Sequence, residues 1–213
     1  LFMVSAAESP TREQEHLTLV RAAQAAGIQH LVYLSFAEAR PDSTFTLART
    51  HAVTEEAIRR STMKHTFVRD NFYSELMARL ADAEGVICGP AEQGRVACVA
   101  QRDAAQAVAN IMADIAAGGT QHQGCTYTLT GSQSLSMEDI ARILTTCTGK
   151  PHRFHNETIA EAFASRRAAY PETPDWEIEA WVSPIRPLPR ANWPRSHRTC
   201  PGSSAGSPSP SSR

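Results

Sequence analysis

The chain has 213 residues, 42% of them apolar, and a formal net charge of -1. That length builds one sizeable domain with a full core, and the near-neutral balance argues against a nucleic-acid or acidic-substrate partner. No apolar run reaches the ~18 residues of a membrane helix, and the start lacks the basic-then-apolar pattern of a signal peptide.

Leu1 to Ala6 is a short apolar run ending in small residues, as a buried parallel strand would. The chain begins with Leu1 inside that run, so the expectation is an incomplete N-terminus. Ser9 and Pro10 suit a helix start. The helix runs to about Ala26, with Leu17, Val20, Ala23 and Ala26 on one face, and Gly27 ends it. Ile28 to Ser35 is the next strand. Leu47 to about Ser61 is a helix with Val53, Ala57 and Ile58 facing inward, and His65 to Arg69 is the third strand. Ser74 to Ala83 reads as helical. Gly85 to Pro90 and Gly94 to Ala100 read as short extended segments. Asp103 opens, and reads as the N-cap of, a helix striped by Val108, Ile111 and Ile115. Cys125 to Thr130 alternates like a strand. Ser136 to Thr148 is a helix opened by a near capping box. His152 to Asn156, Glu157 to Ala169 and Trp176 to Val182 read as strand, helix and helix. Short apolar strands separated by helices predict an α/β fold with a parallel sheet and crossover helices.

The five cysteines (Cys88, Cys98, Cys125, Cys147, Cys200) form no C-x-x-C pair. An odd, scattered set predicts reduced thiols and a cytoplasmic setting. From Ser183 onward the chemistry changes: this stretch holds five of the 21 basic residues, none of the 22 acidic ones and seven of the 13 prolines. It reads as a disordered tail, 183–213. Codons plausible for Ile185 to Cys200 spell an amphipathic helix in another frame, so a frameshift near Ser183 is expected; the nucleotide sequence decides it.

In an open parallel sheet, ligands bind at the carboxyl ends of strands. Ser35 and Asn71-Phe72-Tyr73 follow two such ends and are expected to share one crevice; Ser5-Ala6-Ala7 follows a third, where small residues allow close approach of a ligand or simply a turn. Ser35 serves either such a crevice or a loop hydrogen bond. His51 and Glu55 stand at i,i+4 and can form an ordinary helix-face pair, and Phe72 and Tyr73 can equally be packing residues. His152-x-x-His155 offers two ligands at most, so no metal site is expected.

Three stretches, Gly27-Ile-Gln-His-Leu-Val-Tyr-Leu-Ser35, His51-Ala-Val-Thr-Glu-Glu56 and His65-Thr-Phe-Val-Arg-Asp-Asn-Phe-Tyr-Ser-Glu75, together resemble the NmrA-like branch of the atypical short-chain dehydrogenases/reductases. Within it they are most similar to bacterial type 2 NAD(P)H:quinone oxidoreductases. Gly94 to Asp103, Tyr127 to Gly131 and Ala141 to Gly149 continue the resemblance, which covers roughly residues 1 to 182. It implies a Rossmann-like parallel sheet, here partial, at 1–131 and a small C-terminal α+β substrate-side region at 132–182. It implies NADP or NAD as cofactor, a quinone or similar small electrophile as substrate, no membrane or nucleic-acid partner, and is compatible with a homodimer. The chain has no Gly-rich phosphate turn, and Leu1 to Ala6 resembles the family's fourth strand, so dinucleotide binding is expected to be poor. The resemblance makes Ser35 and His51 the catalytic candidates. Cofactor contacts fall to Ser5, Ala6, Ala7, Ser35, His51, Asn71, Phe72 and Tyr73. Where related dehydrogenases carry a Tyr and a Lys, this chain has Leu47 and His51. An imidazole at 51 can touch a ribose or relay a proton, and quinone reduction can draw protons from solvent. Because NmrA itself is a cofactor-binding regulator, a non-catalytic redox sensor is the alternative, and an inactive fragment is a third.

Overall fold

The computed structural model describes residues 1–185 and 197–200. In chain order the elements are β1 (Phe2–Met3), α1 (Arg12–Ala25), β2 (His30–Phe36), α2 (Thr46–Arg60), β3 (Lys64–Asp70), α3 (Ser74–Met77), β4 (Val86–Gly89), β5 (Arg95–Val96), α4 (Gln101–Ala116) and β6 (Thr126–Thr128). There follow β7 (Leu135–Ser136), α5 (Met137–Thr148), β8 (Arg153–Asn156), α6 (Ile159–Ala169), α7 (Asp175–Val182), a turn of 3-10 helix (Ser183–Ile185) and β9 (His197–Thr199). This is the α/β alternation that the periodicity predicts.

The main sheet has the order β1-β2-β3-β6-β9. Its first three pairings are parallel, with β2 and β3 in register from His30 opposite Lys64 to Phe36 opposite Asp70. A strand's side chains alternate between faces, and each face has its own core. Leu31, Tyr33 and Phe67 pack with Val20, Ala23 and Ile58 on the α1–α2 side. Val32 and Val68 pack with Val108 and Ile111 on the α4 side. Tyr33, Phe67 and Leu31 are completely buried, and burying an apolar side chain of this size contributes roughly 1.5–3 kcal/mol. The outer edge of β1 carries exposed Leu1, Phe2 and Val4.

A second unit is built from β4 paired parallel to β8 and β5 paired antiparallel to β7. Its core joins Met77, Ile87, Val96, Ile140 and Ala141. Helix α5 is opened by a full capping box between Ser136 and Asp139, as its sequence predicts, and α6 by another between Thr158 and Glu161. The start of β4 depends on Gly85, whose φ is +79° and where a Cβ would meet the Pro151 carbonyl oxygen at 2.3 Å. Gly85→Ala is therefore expected to lower stability by about 2–3 kcal/mol, since left-handed strain adds to a backbone clash; a denaturant midpoint unchanged from the parent would show that the turn yields freely.

Several expectations are corrected. Residues 74–83 give only one helical turn, α3. Helix α4 starts at Gln101, so Asp103 stands inside its first turn rather than at the N-cap. The Glu75 carboxylate instead accepts from the Gln101 N–H at 3.1 and 3.2 Å, a cap supplied from another element. Thr11, not Ser9, is the N-cap of α1, and its hydroxyl donates to Glu15 at 2.7 Å. Two short strands, β7 and β9, were not legible in the sequence. The thiols are not all free. β9 runs antiparallel to β6 with Thr199 opposite Thr126, which sets Cys200 against Cys125, and the two form a disulfide. Cys88, Cys98 and Cys147 are free. The stretch expected to be disordered thus contributes a buried Ser183, whose hydroxyl accepts from the Thr46 N–H at 3.3 Å, and strand β9. The rest of that expectation, residues 186–196 and 201–213, lies outside the described residues.

Candidate active site

The inward faces of α1 and α2 are polar where they meet the carboxyl ends of β1, β2 and β3. On α1 the buried positions are Arg12, His16, Val20 and Ala23; on α2 they are Ala48, His51, Thr54, Glu55 and Ile58. These spacings follow one helical stripe, so polar side chains occupy core positions. Val53 and Ala57, expected to face inward, are only partly buried.

Two hydrogen-bonded networks satisfy them. In the first, the Ala6 N–H donates to His16 Nε2 at 2.9 Å, and His16 Nδ1 lies 2.9 Å from the Thr54 hydroxyl. A nitrogen that accepts is unprotonated in a neutral ring, so His16 carries its proton on Nδ1 and donates it to Thr54. Arg12 Nη2 stands 3.3 Å from His51 Nε2, and His51 Nδ1 lies 2.9 Å from the Tyr33 hydroxyl. A guanidinium only donates. His51 Nε2 therefore accepts, and Nδ1 carries the proton and donates it to Tyr33. Burial, and then the charge of Arg12, lowers His51 to about 3 and His16 to about 4. Burial also lowers Arg12, whose Nε and Nη1 have no hydrogen-bond partner among the described residues.

In the second network Glu55, 1% exposed, takes the Ser35 hydroxyl at 2.6 Å, Arg69 through Nε at 2.8 Å and Nη2 at 2.7 Å, and Arg59 at 2.6 Å. Burial pulls Arg69 down, but the hydrogen bonds and charge of Glu55 more than offset it and raise its pKa. His51 and Glu55 thus belong to different networks rather than forming a pair.

The predicted site residues separate accordingly. Ser35 and His51 lie on the α1–α2 side of the sheet, both buried. Ser5 and Ala6 are half-buried beside them, and Ala7 is exposed. Asn71 is buried at the end of β3; its Oδ1 accepts from the Phe72 N–H at 2.8 Å, while its Nδ2 has no partner among the described residues. Phe72 packs into a cluster with Phe36 and Phe45 at centroid distances of 5.1 and 5.6 Å. That cluster borders an apolar cavity of about 320 Å³, lined also by Leu47, Met77, Met137 and Trp181. Tyr73 points the other way, into an apolar trough of about 480 Å³ between Phe2, Leu34 and α4. Its phenol donates to Asp70 in a very short hydrogen bond. Asp70 has no cationic partner in a salt bridge among the described residues, and burial raises it to about 7. Arg12, His16, Tyr33, Glu55, Arg69 and Asp70 were not singled out as site residues from the sequence. The signal available was the run of polar residues in phase with the apolar stripes of α1 and α2. Among the described residues no three His, Cys, Asp or Glu side chains form a group that could hold a metal, and no helix is long and apolar enough to cross a membrane.

The fit to a nicotinamide dinucleotide divides in two. Asn71 Nδ2 is a buried, unpartnered donor at a parallel strand's carboxyl end, suited to a polar nicotinamide or ribose group. The pyrophosphate half has no counterpart, because the sequence contains no Gly-rich turn between a strand and a helix.

Comparison with known proteins bears on the same fold. Quinone oxidoreductase 2 of Escherichia coli (strain K12) is 30% identical over 171 residues, 79% of this chain and 58% of that protein. The NAD(P)H azoreductase of Xenophilus azovorans is 31% identical over 156 residues, 72% of this chain and 53% of that protein. The crystal structure of the E. coli NADPH-dependent quinone oxidoreductase complexed with NADPH superposes with a TM-score of 0.75 at 28% identity, covering 87% of this chain and 64% of that one. The chain therefore spans little more than half the length of the curated relatives it matches. The profile of the NmrA-like family matches residues 1–181, and the chain belongs to that family.

Proposed function

We propose that this chain carries the nicotinamide-facing and acceptor-facing parts of an NAD(P)H-dependent reductase that delivers hydride to a quinone or similar small electrophile. The observation that carries the reading is an apolar, aromatic cavity at the sheet's carboxyl end, bounded by Phe45, Leu47 and Phe72, with Asn71, whose Nδ2 has no partner among the described residues, next to it in the chain. Residues 1–131 would serve the cofactor and residues 132–182 the acceptor; Met137 and Trp181 of the latter line the cavity. When bound, the reduced nicotinamide supplies the hydride. Ser5, Ala6, Ala7, Asn71 and Phe72 hold and orient it, and proximity is the main source of rate. Ser35 and His51 act from behind this surface by fixing Glu55 and Tyr33. The neutral His51 has both ring nitrogens occupied, so the proton that completes hydroquinone formation comes from solvent. Localisation in the cytoplasm, and a homodimer, belong to the same reading.

Reduced nicotinamide mononucleotide tests this directly, because it needs no pyrophosphate site. Menadione reduction is expected to saturate with the mononucleotide in the millimolar range, and Asn71→Ala is expected to lower the rate at least tenfold. No rate above the uncatalysed background with either the mononucleotide or NADPH overturns the reading. The regulator alternative is favoured by one observation: the cavity wall has the aliphatic Leu47 at the position where the resemblance to the dehydrogenases implies a phenol. Saturable NADPH binding with no turnover on any quinone would select it.

A further inference from the structure

The cavity beside Phe72 has an uneven chemistry. Among the described residues, Glu8 is the one ionisable side chain in its wall, and the Trp181 indole supplies the one side-chain N–H donor. The remaining wall is aromatic, aliphatic or thioether, with Phe45, Phe72, Met77 and Met137 prominent. Glu8 stands just beyond the carboxyl end of β1 and is exposed. Arg12, whose pKa burial lowers and the charges of Tyr33 and Glu8 partly restore, is buried and is not part of the wall.

Resting on the reductase reading above, we infer that this cavity selects its acceptor by charge, preferring planar aromatic cations to neutral quinones and excluding aromatic anions. Three ligand classes meet three different environments there. A sulfonate or carboxylate entering the cavity sheds water with no cation among the described wall residues to pair with and approaches Glu8. A neutral quinone gains apolar burial but finds a single indole donor for its carbonyl oxygens. A delocalised cation gains the same burial, the attraction of aromatic faces and the field of Glu8. Its charge is spread over the ring system, so entering costs little hydration. The volume of about 320 Å³ lies at the small end of the roughly 300–1,000 Å³ typical of small-molecule sites, which fits two or three fused rings. Met77 and Met137 let the wall adapt to ring systems of different outline. Because Glu8 is exposed, solvent screens it, and the discrimination it provides is a modest factor.

Quenching of tryptophan fluorescence reads binding without any cofactor. It therefore stands or fails independently of turnover, which tests the reductase reading. The probes are methylene blue as cation, menadione as neutral quinone and anthraquinone monosulfonate as anion. Methylene blue is expected to bind at least tenfold more tightly than the sulfonate, with menadione between them. Glu8→Gln is expected to weaken methylene blue about fivefold, strengthen the sulfonate and leave menadione within twofold. Trp181→Phe is expected to remove most of the quenching while circular dichroism stays unchanged, which places the probes in this cavity. Equal affinity for cation and anion, insensitivity of both to Glu8→Gln, or quenching that survives Trp181→Phe would each overturn the inference.

Discussion

Glu55→Ala is expected to be among the most damaging single substitutions in the chain, costing about 3–5 kcal/mol, because removing one partner of a buried ion pair strands the other. Glu55 is 1% exposed and gathers Ser35, Arg59 and Arg69. Its loss leaves the Ser35 hydroxyl and the two-pronged Arg69 guanidinium facing an empty space inside the α2–sheet interface. The partners are unequal. Arg69 is mostly buried, whereas Arg59 is 40% exposed and rests over the Phe67 ring at 4.8 Å. Arg59→Ala is therefore expected to cost no more than ~1 kcal/mol, as partly exposed pairs do. The double change Glu55→Leu with Arg69→Met should recover most of the loss, since apolar replacement of a buried pair is often neutral. Urea unfolding of the four proteins checks the ordering. A cost below ~1 kcal/mol for Glu55→Ala would mean that water reaches the pair and the network is a surface feature.

The contrast between what was and was not legible follows from where the information lies. β2, α2, β3, α4 and α5 were read from runs and stripes of apolar residues within one segment, and the capping box of α5 from four consecutive residues. Local rules are sufficient there, because the hydrogen bonds concerned are local. The start of α4 was misplaced because its cap, Glu75, is 26 residues away. β9 and the Cys125–Cys200 bridge depend on a pairing between segments 75 residues apart in the chain, and nothing in 197–200 announces it. The polar interior is the instructive case. His51 was found through a family position, and Glu55 as its supposed neighbour on the helix. Arg12, His16 and Tyr33 come from two other elements, and only packing α1 and α2 on one face of β2 makes them partners. The stripe on α2 that continues through His51, Thr54 and Glu55 to Ile58 was visible, but His51 was read as a cofactor contact or as a helix-face partner of Glu55, and Thr54 was not singled out.

Stability is expected to fall as the pH is lowered from 7 to 5, and the fall should be much steeper in Asp70→Asn. His51 and His16 are buried and neutral, at about 3 and about 4 in the folded chain, while an unfolded histidine titrates near 6.5. A depressed base contributes stability that is complete above about 6.5 and is lost as pH falls toward the folded value, because the unfolded chain takes up the proton first. By pH 5 each histidine has withdrawn about 2 kcal/mol, at about 1.4 kcal/mol per unit. Asp70 works in the opposite direction. Burial raises it to about 7 in the folded chain against about 3.9 when unfolded. Its folded form therefore holds a proton that the unfolded form releases, and stability grows as pH drops from 7 toward 4. Over the same two units it returns roughly 2–3 kcal/mol, leaving a net loss of about 1–2 kcal/mol in the parent. His30 and His65 are also lowered by burial but are only half-buried, so they add a small loss of the same sign. Asp70→Asn preserves an acceptor for the Tyr73 hydroxyl and removes the carboxyl titration, so its loss between pH 7 and 5 should reach about 4 kcal/mol. It should also raise stability at pH 8, where the parent must keep a buried carboxylate ionised. Denaturant midpoints of both proteins at pH 5, 7 and 8 decide this, and parallel profiles for the two would show that Asp70 is already ionised and solvated at neutral pH.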